Sequence, residues 1–177
     1  DDATAHLAAA AAVSTPLDLT AAGIAIGKGL NRLYTYHFLW TLLPKSLGGA
    51  EVPLMTFMQM QEVIAGADAS TAWCLGQCSV CAVISAYLDH DSANEIFNSG
   101  RGVLAWGAIN HDVRAEAGGY RANARWDFAS GVRQASWLGA HVRITEADGT
   151  PRRKTDGSIE VRTILFPLSS ATLYDVW

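Results

Sequence analysis

Gly118-Gly119-Tyr120-Arg121-Ala122-Asn123-Ala124-Arg125-Trp126-Asp127-Phe128-Ala129-Ser130-Gly131 is the stretch on which the reading of this chain turns. The glycine pair reads as a turn. Tyr120, Ala122, Ala124 and Trp126 then alternate with polar residues, the period of a strand. At the far end an aromatic residue, a small hydroxyl residue and a glycine stand together after the predicted strand. That set can line a flat conjugated ligand. The Trp126 ring offers a stacking or edge surface, while the Ser130 hydroxyl and the Gly131 amide can hydrogen-bond a ring heteroatom. Residue types alone favour the plainer alternative, a strand end with a core Trp and a turn Gly.

Outward from this stretch the chain has two textures. Downstream, Trp137 to Ile144 and Ile159 to Leu165 read as strands. The polar loop Glu146 to Gly157 separates them, with Asp148-Gly149 and Asp156-Gly157 as turn signals. Val103-Leu104-Ala105-Trp106 is a short apolar run just upstream, and short strands at this spacing suggest a barrel or sandwich. Residues before about Asn98 read as helices. Pro53 suits the first turn of a helix that runs to about Ala65 and ends at Gly66. Asp68 is a good cap for a second helix, Ala69 to about Leu88, which is apolar or small on nearly every side and therefore buried. Asp91 or Ser92 caps a short third helix through Ile96 and Phe97. Leu43 to Gly49 is a loop, Ala8 to Ala12 favours helix, and the aromatic run Leu33 to Trp40 is assigned to helix as well. The expectation is an α+β chain with a helical part over residues 1–100 and a β part over 101–177.

Composition bounds the function. The chain has 177 residues, 50% hydrophobic and 17% charged, with a net charge of −4. That is too apolar for a disordered chain and enough to bury a sizeable core. With no basic block, nucleic acid is not expected as a partner. No eighteen-residue apolar run is uninterrupted, so no membrane span is expected. An odd set of three cysteines is a poor disulfide framework and points to a reducing compartment, hence the cytoplasm. The acidic start Asp1-Asp2 is unlike a signal peptide, and because the first residue is not Met, a leader or the true start is left open.

Cys74, Cys78 and Cys81 are spaced i, i+4, i+7 along one helix face, with no histidine among them. Zinc sites draw ligands from knuckles or separate elements, so packing is the expected role and no metal is expected. Five histidines are scattered without metal spacing; His111, between Asn110 and Asp112 at a predicted strand end, is the one placed where functional groups often sit. A solvated loop histidine is the plainer alternative. No nucleophile elbow, Walker loop or dinucleotide fingerprint is present.

Three segments in order resemble the acyl-CoA dehydrogenase superfamily. Leu43-Pro44-Lys45-Ser46-Leu47-Gly48-Gly49-Ala50-Glu51 is similar to its LP-x-x-x-GG loop. Glu62-Val63-Ile64-Ala65-Gly66-Ala67-Asp68-Ala69-Ser70 is similar to its E-x-x-A-x-x-D-x-S helix junction. The Gly118–Gly131 stretch is similar to GGYR-x-x-G-x-W-x-F-x-SG, with Ala124 in place of a glycine. The resemblance covers about Leu42 to Trp177. Ser70-Thr71-Ala72-Trp73 resembles the S-x-AW of the flavin-dependent monooxygenase branch, the oxygenase components of two-component aromatic hydroxylases. Trp106-Gly107-Ala108-Ile109-Asn110-His111-Asp112 stands where true dehydrogenases carry Thr-Glu-Pro and Gly-Ser-Asp, and lacks both. Residues 1–41 do not match the family's opening helix.

The resemblance implies an all-helical front domain, a middle β-barrel domain and a back four-helix bundle. Leu173 to Trp177 looks like the strand before W-x-x-x-G-x-x-x-T-x-S, so the β-domain is expected to be partial and the bundle absent. It implies a monooxygenase that hydroxylates an aromatic substrate with oxygen and reduced flavin, FMN or FAD, supplied by a partner reductase, in a full-length homotetramer. By resemblance, Trp126 and Phe128 flank the flavin ring, Ser130 is the nearest hydroxyl donor, and Gly131 gives backbone contact. Trp106, Asn110 and His111 fall at the other flavin- or substrate-facing strand end, with His111 and Ser130 as the catalytic candidates. The alternatives are an acyl-CoA dehydrogenase, whose glutamate base would lie in the bundle, and a non-catalytic truncated fragment. A chain lacking the bundle is expected to bind flavin weakly and to be poorly soluble.

Overall fold

A computed structural model of the chain describes residues 39–97 and 102–174. The expected helix at Ala8 to Ala12, most of the aromatic run before Trp40 and all but Gly102 of the boundary expected near Ser99 to Gly102 lie outside the described residues.

Helix α1 spans Leu54–Ala67 and starts directly after Pro53, whose ring holds φ at −56°. It buries Phe57. It runs past Gly66, because the amide of Asp68 still bonds the Ile64 carbonyl at 2.8 Å. Asp68 then turns to extended backbone and caps helix α2, Ala69–Ala82. Its Oδ1 accepts from the Ser70 amide at 3.0 Å and its Oδ2 from the Thr71 hydroxyl at 2.7 Å. The expected second helix keeps its extent, but its end, Val83–Tyr87, tightens to a 3₁₀ helix. Helix α3 spans His90–Phe97. Its cap is Asp89 rather than Asp91 or Ser92: the Ser92 amide donates to Asp89 Oδ1 at 3.0 Å.

Strands β1 (Leu104–Glu116), β2 (Gly119–Arg121), β3 (Trp137–Thr145) and β4 (Val161–Pro167) form one mixed sheet in the order β2-β1-β3-β4. Strands β1 and β3 run parallel, and the other two pairings are antiparallel. Among the described residues the sheet is open, where a barrel or sandwich was expected. The short run at Val103 is the start of a thirteen-residue strand, extended by pairing with β3 across a register shift between Gly107 and His111. The strand expected to continue to Trp126 stops at Arg121. The closing strand expected at Leu173 is coil as far as Tyr174.

Helices and sheet share two buried clusters. Phe57, Leu75 and Cys78 pack with Ala105 and Leu138 in the first; Cys81, Ala82, Ile96 and Phe97 pack with Leu104 in the second. A third, Val113, Ala140, Val142 and Ile144, is built from β1 and β3 and has Trp126 and Phe166 packed against it. The helical stretch Ala69–Tyr87 is long and apolar enough to cross a membrane by length and composition. Burial of Leu75, Cys78, Cys81 and Ala82 in these clusters gives that hydrophobicity a packing role.

Candidate functional site

The chain from Ala122 to Ala129 has no ladder of its own; it passes over β1 at Trp126 and Asp127 and meets α2 at Ser130 and Gly131. On the β1 side, Trp126 and Asp127 lie over Gly107, filling the space a side chain there would need. On the α2 side, Gly131 takes φ +80° and backs onto the helix so closely that a Cβ would collide with Cys78 Sγ and stand 3.2 Å from the Cys74 carbonyl. Cys78 Sγ donates weakly to the Gly131 carbonyl at 3.8 Å. Between these ends Phe128 adopts φ +60°, uncommon for a residue with a side chain. The Ser130 amide bonds the Phe128 carbonyl at 2.8 Å and the Val132 amide bonds the Ala129 carbonyl at 3.1 Å, closing tight turns.

The expected site residues divide into two groups. Trp126 turns inward onto the third cluster, its ring edge-on to His111 at 5.5 Å and tilted against Phe166 at 6.1 Å. Its indole Nε1 and the His111 Nε2 are both buried and lack a hydrogen-bond partner. Ser130 faces α2, where its Oγ accepts from the Trp73 indole Nε1 at 3.0 Å. Phe128 is 67% exposed, so Trp126 points into the protein while Phe128 points out.

Trp106 is not part of this group. It neighbours Gly107 along β1 and therefore faces the other side of the sheet, where it packs in the second cluster and tilts against His141 at 5.5 Å. Asn110 lies in β1, but its side chain lies outside the described residues. Trp73 joins the site although the sequence marked it only as part of S-x-AW; nothing in its local pattern tells that it meets a residue 57 positions away.

The cysteines behave as small hydrophobic residues. Burial raises all three thiols, Cys81 to about 12 and Cys78 further, so they are neutral. No group of three or more His, Cys, Asp or Glu able to hold a metal occurs among the described residues.

No family model matches the chain. It is 29% identical over 138 residues to the indole-3-acetate monooxygenase of Pseudomonas putida, covering 77% of this chain and 33% of that protein. It is 27% identical over 137 residues to an FADH(2)-dependent resorcinol hydroxylase, oxygenase component, of Rhizobium sp. (strain MTP-10005), covering 76% of this chain and 32% of that protein. The chain thus spans about a third of the length of these curated relatives. Among solved structures, the HsaA monooxygenase from M. tuberculosis superposes with a TM-score of 0.75 at 21% identity, over 89% of this chain and 41% of that one. XiaF from Streptomyces sp., in complex with FADH2 and glycerol, superposes with a TM-score of 0.71 at 23% identity, over 89% of this chain and 40% of that one. The chain therefore shares the fold of the matching part of these solved proteins, and the curated relatives it matches are an indole-3-acetate monooxygenase and the oxygenase component of a resorcinol hydroxylase.

Proposed function

We propose that this chain is the flavin-adjoining part of an oxygenase component that hydroxylates an aromatic compound with oxygen and reduced flavin, the flavin coming from a partner reductase. The observation that carries the reading is the buried pair of unpartnered polar atoms at the start of the Trp126–Gly131 segment, Trp126 Nε1 and His111 Nε2, in a fold shared with such enzymes. A buried polar atom without a partner costs about 1–3 kcal/mol. Trp126 Nε1 and His111 Nε2 are two such atoms on touching rings, which fits a site completed by a ligand heteroatom or by ordered water. The group holds an indole, an imidazole, a hydroxyl and the backbone at Gly131, with no carboxylate or guanidinium among them. That chemistry suits the heteroatom edge of a flat conjugated ring better than a metal ion or a phosphate.

In this reading the flavin, when bound, supplies the activation of oxygen and the transfer of one oxygen atom to the aromatic ring. Ser130 and Gly131 hold the ring edge. Trp126 and Phe166 close the inner wall against the sheet and exclude water there. His111 can hold or move a proton at Nε2 for any ligand atom that reaches it. Trp106 keeps its core position behind the sheet and has no contact role. The choice of FMN or FAD, a homo-oligomeric state and a cytoplasmic location belong to the same proposal.

The test is turnover of the full-length gene product. Anaerobically reduced FMN or FAD is mixed with oxygenated buffer and a panel of phenols and indole carboxylates, and products are analysed by mass spectrometry under ¹⁸O₂. Incorporation of one labelled oxygen into an aromatic product supports the reading. Bleaching of bound oxidised flavin by an acyl-CoA, with no labelled product, would replace it with a dehydrogenase.

A further inference from the structure

We infer that Trp73 is a positioning residue, which fixes the Ser130 hydroxyl as a hydrogen-bond donor toward the ligand. The inference rests on the proposed flavin site. An indole N–H can only donate. The 3.0 Å contact between Trp73 Nε1 and Ser130 Oγ therefore occupies one acceptor position of the serine and leaves the serine's own proton unused by Trp73. A solvated hydroxyl swings its proton freely. This one is held from one side and can direct its proton only elsewhere.

Three observations make the contact more than a chance surface pair. Trp73 is 61% exposed, so burial alone does not account for so large an apolar ring at this helix position. The residue after Ser130 is locked to the same helix, since Gly131 lies against Cys78 Sγ and the Cys74 carbonyl. The backbone before it is closed by the Ser130 amide on the Phe128 carbonyl at 2.8 Å. Helix α2 thus fixes the main chain at residue 131 and the side chain at residue 130 together. The hydroxyl is set by a rigid element rather than by the irregular segment that carries it.

The test uses the full-length protein with Trp73→Phe, Ser130→Ala, Ser130→Thr and the double variant Trp73→Phe/Ser130→Ala. Oxidised FAD, whose ring nitrogens accept hydrogen bonds, is titrated by its visible absorption band, and reduced FAD is titrated anaerobically. Trp73→Phe keeps the ring and removes only the N–H. Expected is a two- to ten-fold weaker affinity for oxidised FAD, roughly the worth of one neutral hydrogen bond. The bound flavin band should shift as it does in Ser130→Ala, with an unchanged melting temperature. Ser130→Thr, which keeps the hydroxyl, should retain the wild-type band. In the Ser130→Ala background, Trp73→Phe should add nothing. In ligand-free protein, the ¹⁵N-indole signal of Trp73 should move in Ser130→Ala.

Weakening by Trp73→Phe that is equal with and without Ser130 would overturn the inference, because Trp73 would then act on its own. So would normal binding in Trp73→Phe beside weakened binding in Ser130→Ala. If FAD binds but Ser130→Ala leaves affinity and spectrum unchanged, or if FAD does not bind, the proposed flavin site itself fails. The indole signal then still reports whether the contact exists.

Discussion

Two irregular regions of this chain are built in opposite ways. The excursion from Glu146 to Glu160 holds itself together. Asp148 Oδ1 accepts from the Thr150 amide and hydroxyl at 2.9 and 2.7 Å, and Asp156 Oδ1 does the same for Ser158 at 2.8 and 2.6 Å. Arg152 grips Glu146 through two bonds of 2.6 and 2.9 Å. Each of these side-chain partners lies within six residues. The Ala122–Gly131 segment instead leans on partners 57 and 53 residues away in α2, and on β1. One region carries its own instructions; the other takes its shape from the fold around it and holds the unpartnered Trp126 Nε1 beside His111.

The largest effect that can break this contrast is a pair of identical substitutions at identical backbone. Gly131 and Gly149 have φ of +80° and +87°, but a Cβ at Gly149 meets nothing within 4 Å. Gly149→Ala should cost about 1 kcal/mol, the price of the left-handed conformation alone. Gly131→Ala adds a collision with Cys78 and should cost about 2–4 kcal/mol in denaturant unfolding. Equal losses would mean that the segment is not seated on α2.

The next effect comes from the buried thiols of α2, of which Cys78 backs the segment. Folding raises them above the ordinary value of 9.0, Cys81 to about 12 and Cys78 further, with burial as the main cause. A group raised in the folded state contributes its stability fully below its unfolded value. That stability is then lost as pH climbs toward the folded value. Unfolding free energy should therefore fall above about pH 9, by up to about 1.4 kcal/mol per pH unit for each thiol. Cys78→Ala should flatten part of that slope; an unchanged slope would show that these thiols ionise freely in the native chain.

The smallest effect belongs to the self-contained region. Glu146→Gln removes an ion pair that is exposed to solvent. The melting temperature and flavin affinity should both stay at the wild-type values, because exposed pairs contribute little. A clear loss of flavin affinity would show that the excursion reaches the site.

The same contrast explains what the sequence could disclose. Asp68 as a cap, the turns at Asp148 and Asp156, and the strand from Trp137 were legible because each depends on neighbours in the chain. The end of β2 was not: the alternation runs on to Trp126, while the ladder with β1 stops at Arg121. At the site, the order of the motifs located Trp126, Ser130 and Gly131. No local pattern told that Trp126 turns inward and Phe128 outward, or that Trp106 takes the far face of the sheet. Trp73 was visible as a motif letter and invisible as a hydrogen-bond donor, since its partner lies on another element.

The most direct measurement is an anaerobic titration of reduced FAD against the full-length protein and its Ser130→Ala and Trp126→Phe variants. If the Trp126–Gly131 segment is the flavin site, wild type should bind one reduced flavin per chain, with both variants weaker by about two- to ten-fold. Wild-type affinity in both variants would contradict it.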